Sequence, residues 1–147
     1  MTSTVVLCIG NRDSGDDAIG PYIADHAPTL PDTIFIDADT TPERTTATIK
    51  RHHPTHLILI DAADMNQPPG TIRRIPPHKI QTLSISTHGL PLSLLVDYLT
   101  PTIPHITLIG IQPNTLTGPL SSVATTAATT LLDRLKRNTL EEIPILT

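Results

Sequence analysis

Apolar residues along the chain fall into two kinds of run. Residues 4–10, 33–37, 55–62 and 105–111 (TVVLCIG, TIFID, THLILIDA and HITLIGI) are short, largely β-branched, and closed by turn or cap residues. Such runs predict strands buried on both faces. Between them the spacing becomes helical. Ile19, Tyr22 and Ile23 share one face soon after the first strand. Residues 42–53 form a weaker pattern, with Pro42 near its start and Pro54 stopping it. Leu92, Leu95, Val96 and Leu99 follow i, i+3, i+4, i+7 spacing, with Pro91 suited to the first helical position. Val123, Ala127, Leu131 and Leu135 make the stripe of a last helix. Its end carries Arg134, Lys136 and Arg137, where cations complement the helix dipole. A further strand at 71–75 (TIRRI) is predicted at a sheet edge, given its central arginine pair and neighbouring prolines.

Strands alternating with helices imply an α/β fold in three layers, a twisted, mainly parallel sheet flanked by helices. The length of 147 residues makes 1–147 a single domain with room for a real core. In such sheets the site lies in a crevice outside the C-terminal ends of the strands. The residues just after each strand are therefore the ones to weigh.

Composition narrows the function classes. A net charge of -4 and a pI of about 5.9 argue against a nucleic-acid partner. With no Trp, one Phe and two Tyr, a base-stacking platform is also absent. Cys8 is the one cysteine, so neither an internal disulfide nor a thiolate zinc cluster can form, and it reads as a buried inert thiol. No apolar run approaches the roughly 18 residues of a membrane span, and residues 1–10 lack a signal-peptide pattern. The expectation is a cytoplasmic, monomeric protein without a membrane partner.

The loop after the first strand, residues 10–21 (GNRDSGDDAIGP), is rich in glycine and in acids. Gly10 and Gly15 have the spacing of a phosphate-binding loop, but Asp16 and Asp17 stand where Lys and Ser or Thr are needed. Glycines at 10, 15 and 20 also fail the dinucleotide pattern, although Asp37 or Asp39 would superficially suit a ribose contact. Ser14-x-x-Asp17 resembles a capping box, yet a helix capped at Ser14 would place Pro21 well inside it. A start at or just after Asp17 relieves that conflict. Taken alone, Asp17 fits an N-cap better than a ligand. Asp16 is less informative still.

Asp61 ends the apolar run HLILI, where a strand would deliver it to the crevice. A carboxylate held by the following turn explains it equally well, and Asp64 could be held the same way. His88, in SISTHGLPLSLL, precedes the helix near Pro91. A nearby helix N-terminus disfavours imidazolium and keeps such a ring neutral for a metal. His26 falls on the first helix and reads as structural, and His52, His53, His56, His78 and His105 carry no assigned role. Asp17, Asp61 and His88 can converge on one crevice as two carboxylates and one imidazole around a divalent cation. The loop is then acidic because its target is cationic.

At these residues the chain resembles the hydrogenase maturation endopeptidases. The likeness rests on VLCIGN, GDDAIGP, LILIDAADM, STHGLPLSLL and LIGIQP, taken in that order along nearly the whole chain. It looks most like the branch that processes hydrogenase-3-type large subunits. The resemblance implies a twisted sheet between helices. It also implies removal of a short C-terminal extension from the precursor large subunit of a nickel–iron hydrogenase once nickel is inserted. The metal-contacting and catalytic positions map onto Asp17, Asp61 and His88, with the nickel supplied by the substrate. Ala18 departs from the glycine common after the second acid, and Arg12-Asp13 stands where an apolar residue is common. No nucleophile–base pair is evident, so hydrolysis by an activated water is expected, through either the metal or a carboxylate base. Two other readings stay open. One is a small-molecule hydrolase holding its own divalent cation at the same trio; the other is a nucleotide-binding or chaperone module using the loop and Asp37.

Overall fold

The computed structural model describes residues 3–85 and 91–147. Among these residues, six strands and four α-helices follow one another as β1 (Thr4–Ile9), α1 (Ile19–Asp25), β2 (Thr33–Asp39), α2 (Thr46–His52), β3 (His56–Asp64), β4 (Ile72–Ile75), β5 (Ser84–Ile85), α3 (Leu92–Leu99), β6 (His105–Ile111) and α4 (Ser122–Arg137). The sheet runs β2-β1-β3-β6-β4, with β5 against β3. The pairs β1–β2, β1–β3 and β3–β6 are parallel, whereas β4–β6 and β3–β5 are antiparallel.

The two-residue period of the strands builds both cores. Val5, Leu7 and Ile9 of β1, with Leu57 and Leu59 of β3, pack on one side against Ile49 of α2 and Leu92, Leu95, Val96 and Leu99 of α3. Val6 and Cys8, with Ile58 and Ile60, face the other way onto Ile19 and Ile23 of α1 and the buried face of α4. This is the expected three-layer α/β architecture, with helices on both faces of the sheet.

The strands expected at 4–10, 33–37, 55–62, 71–75 and 105–111 are all present, and 71–75 forms the edge strand β4. Three details differ. β2 ends the sheet and is only half-buried, because among the described residues no strand covers its outer side. Val123 is 39% exposed, since α4 turns Ala124, Ala127, Ala128, Leu131, Leu132 and Leu135 inward instead. Pro91 is the residue capping α3, one position before its first turn. The patch β5 carried too little periodicity to be seen in the sequence. No described helix is long and apolar enough to cross a membrane.

Candidate active site

The strand order reverses at β1: β2 lies on one side of it and β3 on the other. A crevice therefore opens outside the C-terminal ends of β1 and β3. Pairing of β1 with β3 stops at Cys8–Ile60, so Asp61 is the first residue of β3 beyond it. The loop after β1 folds back over this point.

Glycine shapes that loop by allowing close approach. Gly20 lies against the end of β1, where a Cβ would come within 2.7 Å of the Ile9 nitrogen. Gly15 has φ of 55°, and a Cβ there would stand 2.6 Å from the Thr117 nitrogen. Its backbone N–H groups are already engaged. Asn11 donates to Asp17 Oδ2 at 3.1 Å, Ser14 to the Asn11 carbonyl, Gly15 to Gly118, Asp16 to Thr115 and Asp17 to Ser14. A phosphate cradle needs such groups pointing outward. Asp37, the residue suited to a ribose, instead binds Arg12 at 2.6 Å, and Arg12 also grips Asp25. The nucleotide reading fails on both counts.

A 3-10 turn spans Gly15–Ala18 and runs directly into α1, whose N-cap is Ala18. Asp17 is therefore not the N-cap of this helix, and Ser14 makes no capping bond. Pro21 falls in the first turn of α1, where its missing N–H costs little. Freed from capping, the Asp17 side chain is turned inward and is 1% exposed.

Asp61 is 0% exposed. Neither of its carboxylate oxygens has a well-formed hydrogen bond among the described residues. Burial, and then the charge of Asp17, hold its carboxyl well above the usual aspartate range, and the Ala62 N–H offsets part of this. Two carboxylates are thus sealed together at the crevice, one of them a reluctant anion. Such a pair accepts a proton, a water or a cation.

Asp64, three residues on, is an ordinary turn residue. Its Oδ1 accepts from Asn66 N at 3.1 Å and from Gln112 Nε2 at 3.2 Å. Gln112, buried just after β6, accepts from Met65 N and Gln67 N through Oε1, fastening the loop after β3. Sequence reasoning missed this residue, whose one cue was the polar break closing an apolar run. It also missed Asp16, which is 1% exposed. Its Oδ2 accepts from Asn114 N (2.8 Å), Thr115 N (3.3 Å) and Ser121 Oγ (2.7 Å), and its Oδ1 from Ser121 N (2.7 Å). Burial raises its affinity for a proton, but these donors outweigh burial and the carboxyl lies below the usual range. Asp16 is an anchor, not a ligand.

Among the histidines, His26 stacks on Tyr22 and bonds its carbonyl, as a structural residue would. His56 bonds Thr107 Oγ1 at the opposite end of the sheet. His88, the third member of the expected trio, lies outside the described residues. Among those described, no three His, Cys, Asp or Glu side chains group closely enough to hold a metal ion. A surface cavity of about 530 Å³ lies along α4 beside Arg73 and residues 142–144, and neither Asp17 nor Asp61 lines it.

Known proteins resemble the chain over most of its length. Residues 24–138 match the sequence profile of a family described as hydrogenase maturation protease; this range includes Asp61 and His88 but begins after the opening loop. The hydrogenase 3 maturation protease of Escherichia coli (strain K12) is 38% identical over 113 residues, 75% of this chain and 72% of that protein. A putative hydrogenase maturation protease of Methanocaldococcus jannaschii is 36% identical over 120 residues, 74% of this chain and 71% of that one. A crystal structure of a hydrogenase 3 maturation protease superimposes with a TM-score of 0.90 at 32% identity, covering 99% of this chain and 97% of the other. A NiFe hydrogenase maturation protease from Thermococcus kodakarensis KOD1 gives 0.83 at 27% identity, covering 94% and 92%. The inward-facing acids thus sit in a fold shared, end to end, with peptidases, and the chain belongs to the hydrogenase maturation protease family.

Proposed function

We propose that this enzyme removes a short C-terminal extension from the precursor of a nickel–iron hydrogenase large subunit, reading the precursor's nickel as the sign that it is ready. The observation carrying this is Asp61, a carboxylate buried without well-formed hydrogen bonds beside a second carboxylate, Asp17. A buried anion so placed is costly unless a proton or a cation neutralises it. A nickel-bearing substrate supplies that cation only while it is docked. Asp17 and Asp61 then hold the metal side of the precursor, with His88 as the neutral third ligand. Ile85, three positions before His88 in the sequence, pairs with Ala63, two residues beyond Asp61.

Chemistry at this site needs no protein nucleophile. Cys8 faces the core, and burial followed by the charge of Asp37 pushes its thiol up to about 12. Water attack fits the site. A carboxylate whose affinity for protons is raised by burial is a competent general base once its own proton has been displaced. An oxygen-rich ligand set also binds nickel more weakly than thiolates do, so the enzyme can sense the metal without extracting it.

The test mixes purified protein with cognate precursor, nickel-loaded or nickel-free, and follows mass. Loss of a C-terminal peptide from the nickel-loaded form alone is expected, and Asp17→Asn should abolish it while remaining folded. Full activity of Asp17→Asn would overturn the assignment of the site. An inactive enzyme carrying stoichiometric divalent metal would favour a small-molecule hydrolase instead.

A further inference from the structure

Asp16 stands next to the carboxylate pair, yet all its side-chain bonds run away from it, across about a hundred residues of sequence. Its two oxygens gather the N–H groups of Asn114, Thr115 and Ser121 and the Ser121 hydroxyl. Ser121 is in turn the N-cap of α4, accepting from Ala124 N at 3.2 Å. The backbone adds two bonds in the same seam, Gly15 N to the Gly118 carbonyl and Asp16 N to the Thr115 carbonyl. The 113–121 loop leaves β6 at the same sheet end as the carboxylates and is thereby laid against the turn that carries Asp17. At its tip Leu116 is 52% exposed, whereas the loop's other leucine, Leu120, is packed against the core on the α4 side.

We propose that Asp16 is a positioning residue that fixes the 113–121 loop as one wall of the substrate cleft, with Leu116 contacting the precursor's C-terminal segment. The proposal rests on the processing reading above. A loop joined to the catalytic turn by a buried carboxylate moves with that turn, so substrate seated on Leu116 is held in register with Asp17 and Asp61. Three backbone donors and a hydroxyl converging on one ion also explain why the residue is Asp. An asparagine of the same shape, whichever way its amide is turned, sets an NH2 group against at least one backbone N–H.

Kinetics with nickel-loaded precursor test this with Leu116→Asp and Asp16→Asn, beside wild type and Asp17→Asn. Leu116→Asp lies on the surface and leaves folding intact. It is expected to raise KM about tenfold with kcat within about twofold, the signature of lost substrate contact. Asp16→Asn should likewise raise KM more than it lowers kcat, and should speed hydrogen exchange of the 113–121 amides while β1 amides stay protected. An unchanged KM in Leu116→Asp overturns the wall, whether or not Asp16→Asn folds. A loss of kcat in Asp16→Asn as deep as in Asp17→Asn, with KM unmoved, would make Asp16 a direct participant instead. If wild type itself leaves a nickel-loaded cognate precursor uncut, the processing reading fails and this inference falls with it.

Discussion

Replacing Asp61 with asparagine should destroy activity and yet make the free protein more stable. In the folded chain Asp61 is shut off from water, and burial together with the Asp17 charge raises its affinity for a proton. The unfolded chain has no such penalty. The folded state therefore binds this proton more tightly, and what the group contributes to stability is complete at pH values below the ordinary aspartate range. It is lost progressively as pH rises through that range toward the higher folded pKa. Carrying a neutralising proton up to pH 7 costs about 4 kcal/mol from an ordinary aspartate pKa, which caps the penalty in the wild type. Asparagine removes the charge but buries an amide in the same place, and Asp17 can accept one of its hydrogens. A net gain of about 2 kcal/mol is expected, or roughly 4–8 °C in Tm for a chain of this size.

Urea unfolding of wild type and Asp61→Asn, in chelator, at pH 4.5 and pH 7.5 measures it. The gap should be small at the lower pH and open at the higher. Cleavage by the same variant should fall by at least about 100-fold. A variant less stable than wild type at pH 7.5, or a gap of the same size at both values, would refute the reasoning that burial strains this carboxylate.

Two further outcomes follow from the packing. Gly15→Ala forces a Cβ onto the Thr117 nitrogen at a positive φ and should cost about 2–3 kcal/mol; a thermal shift under about 2 °C would contradict it. Cys8, fully buried and with its thiol pushed up to about 12, should resist iodoacetamide at pH 8 in the native protein and react at the rate of unfolding; rapid native labelling would show that β1 is not sealed.

Much of the fold was legible because strands and helices announce themselves locally. The alternation of Val5, Leu7 and Ile9 with Val6 and Cys8 divides the two cores as a two-residue period requires. The α3 stripe of Leu92, Leu95, Val96 and Leu99 is buried as its spacing implies. Asp61 was visible as a carboxylate closing an apolar strand. The neighbouring acids were harder. Asp17 read as a helix cap because capping is a local pattern, whereas its inward turn depends on the 3-10 turn at Gly15–Ala18 and the close approach at Gly20. Asp16 read as uninformative because its donors lie at 114, 115 and 121, and no window of sequence spans that distance. Gln112 was hidden for the same reason: its partners are the N–H groups of Met65 and Gln67. Long-range polar anchoring leaves no period behind it.

The outer side of β4 bears on how a protein partner can approach. Arg74 donates its N–H to the Pro144 carbonyl and accepts from Leu146 N, while its guanidinium binds the carbonyls of Ile143 and Glu141. The chain thus lays its own residues 144–146 along this edge strand. An unstructured protein tail commonly docks by becoming one more strand of its receptor. Here Arg74's seat is already taken from within, so a client that presents such a tail is steered away from this flank. Selectivity against adventitious peptides, in this view, starts with what the enzyme keeps closed.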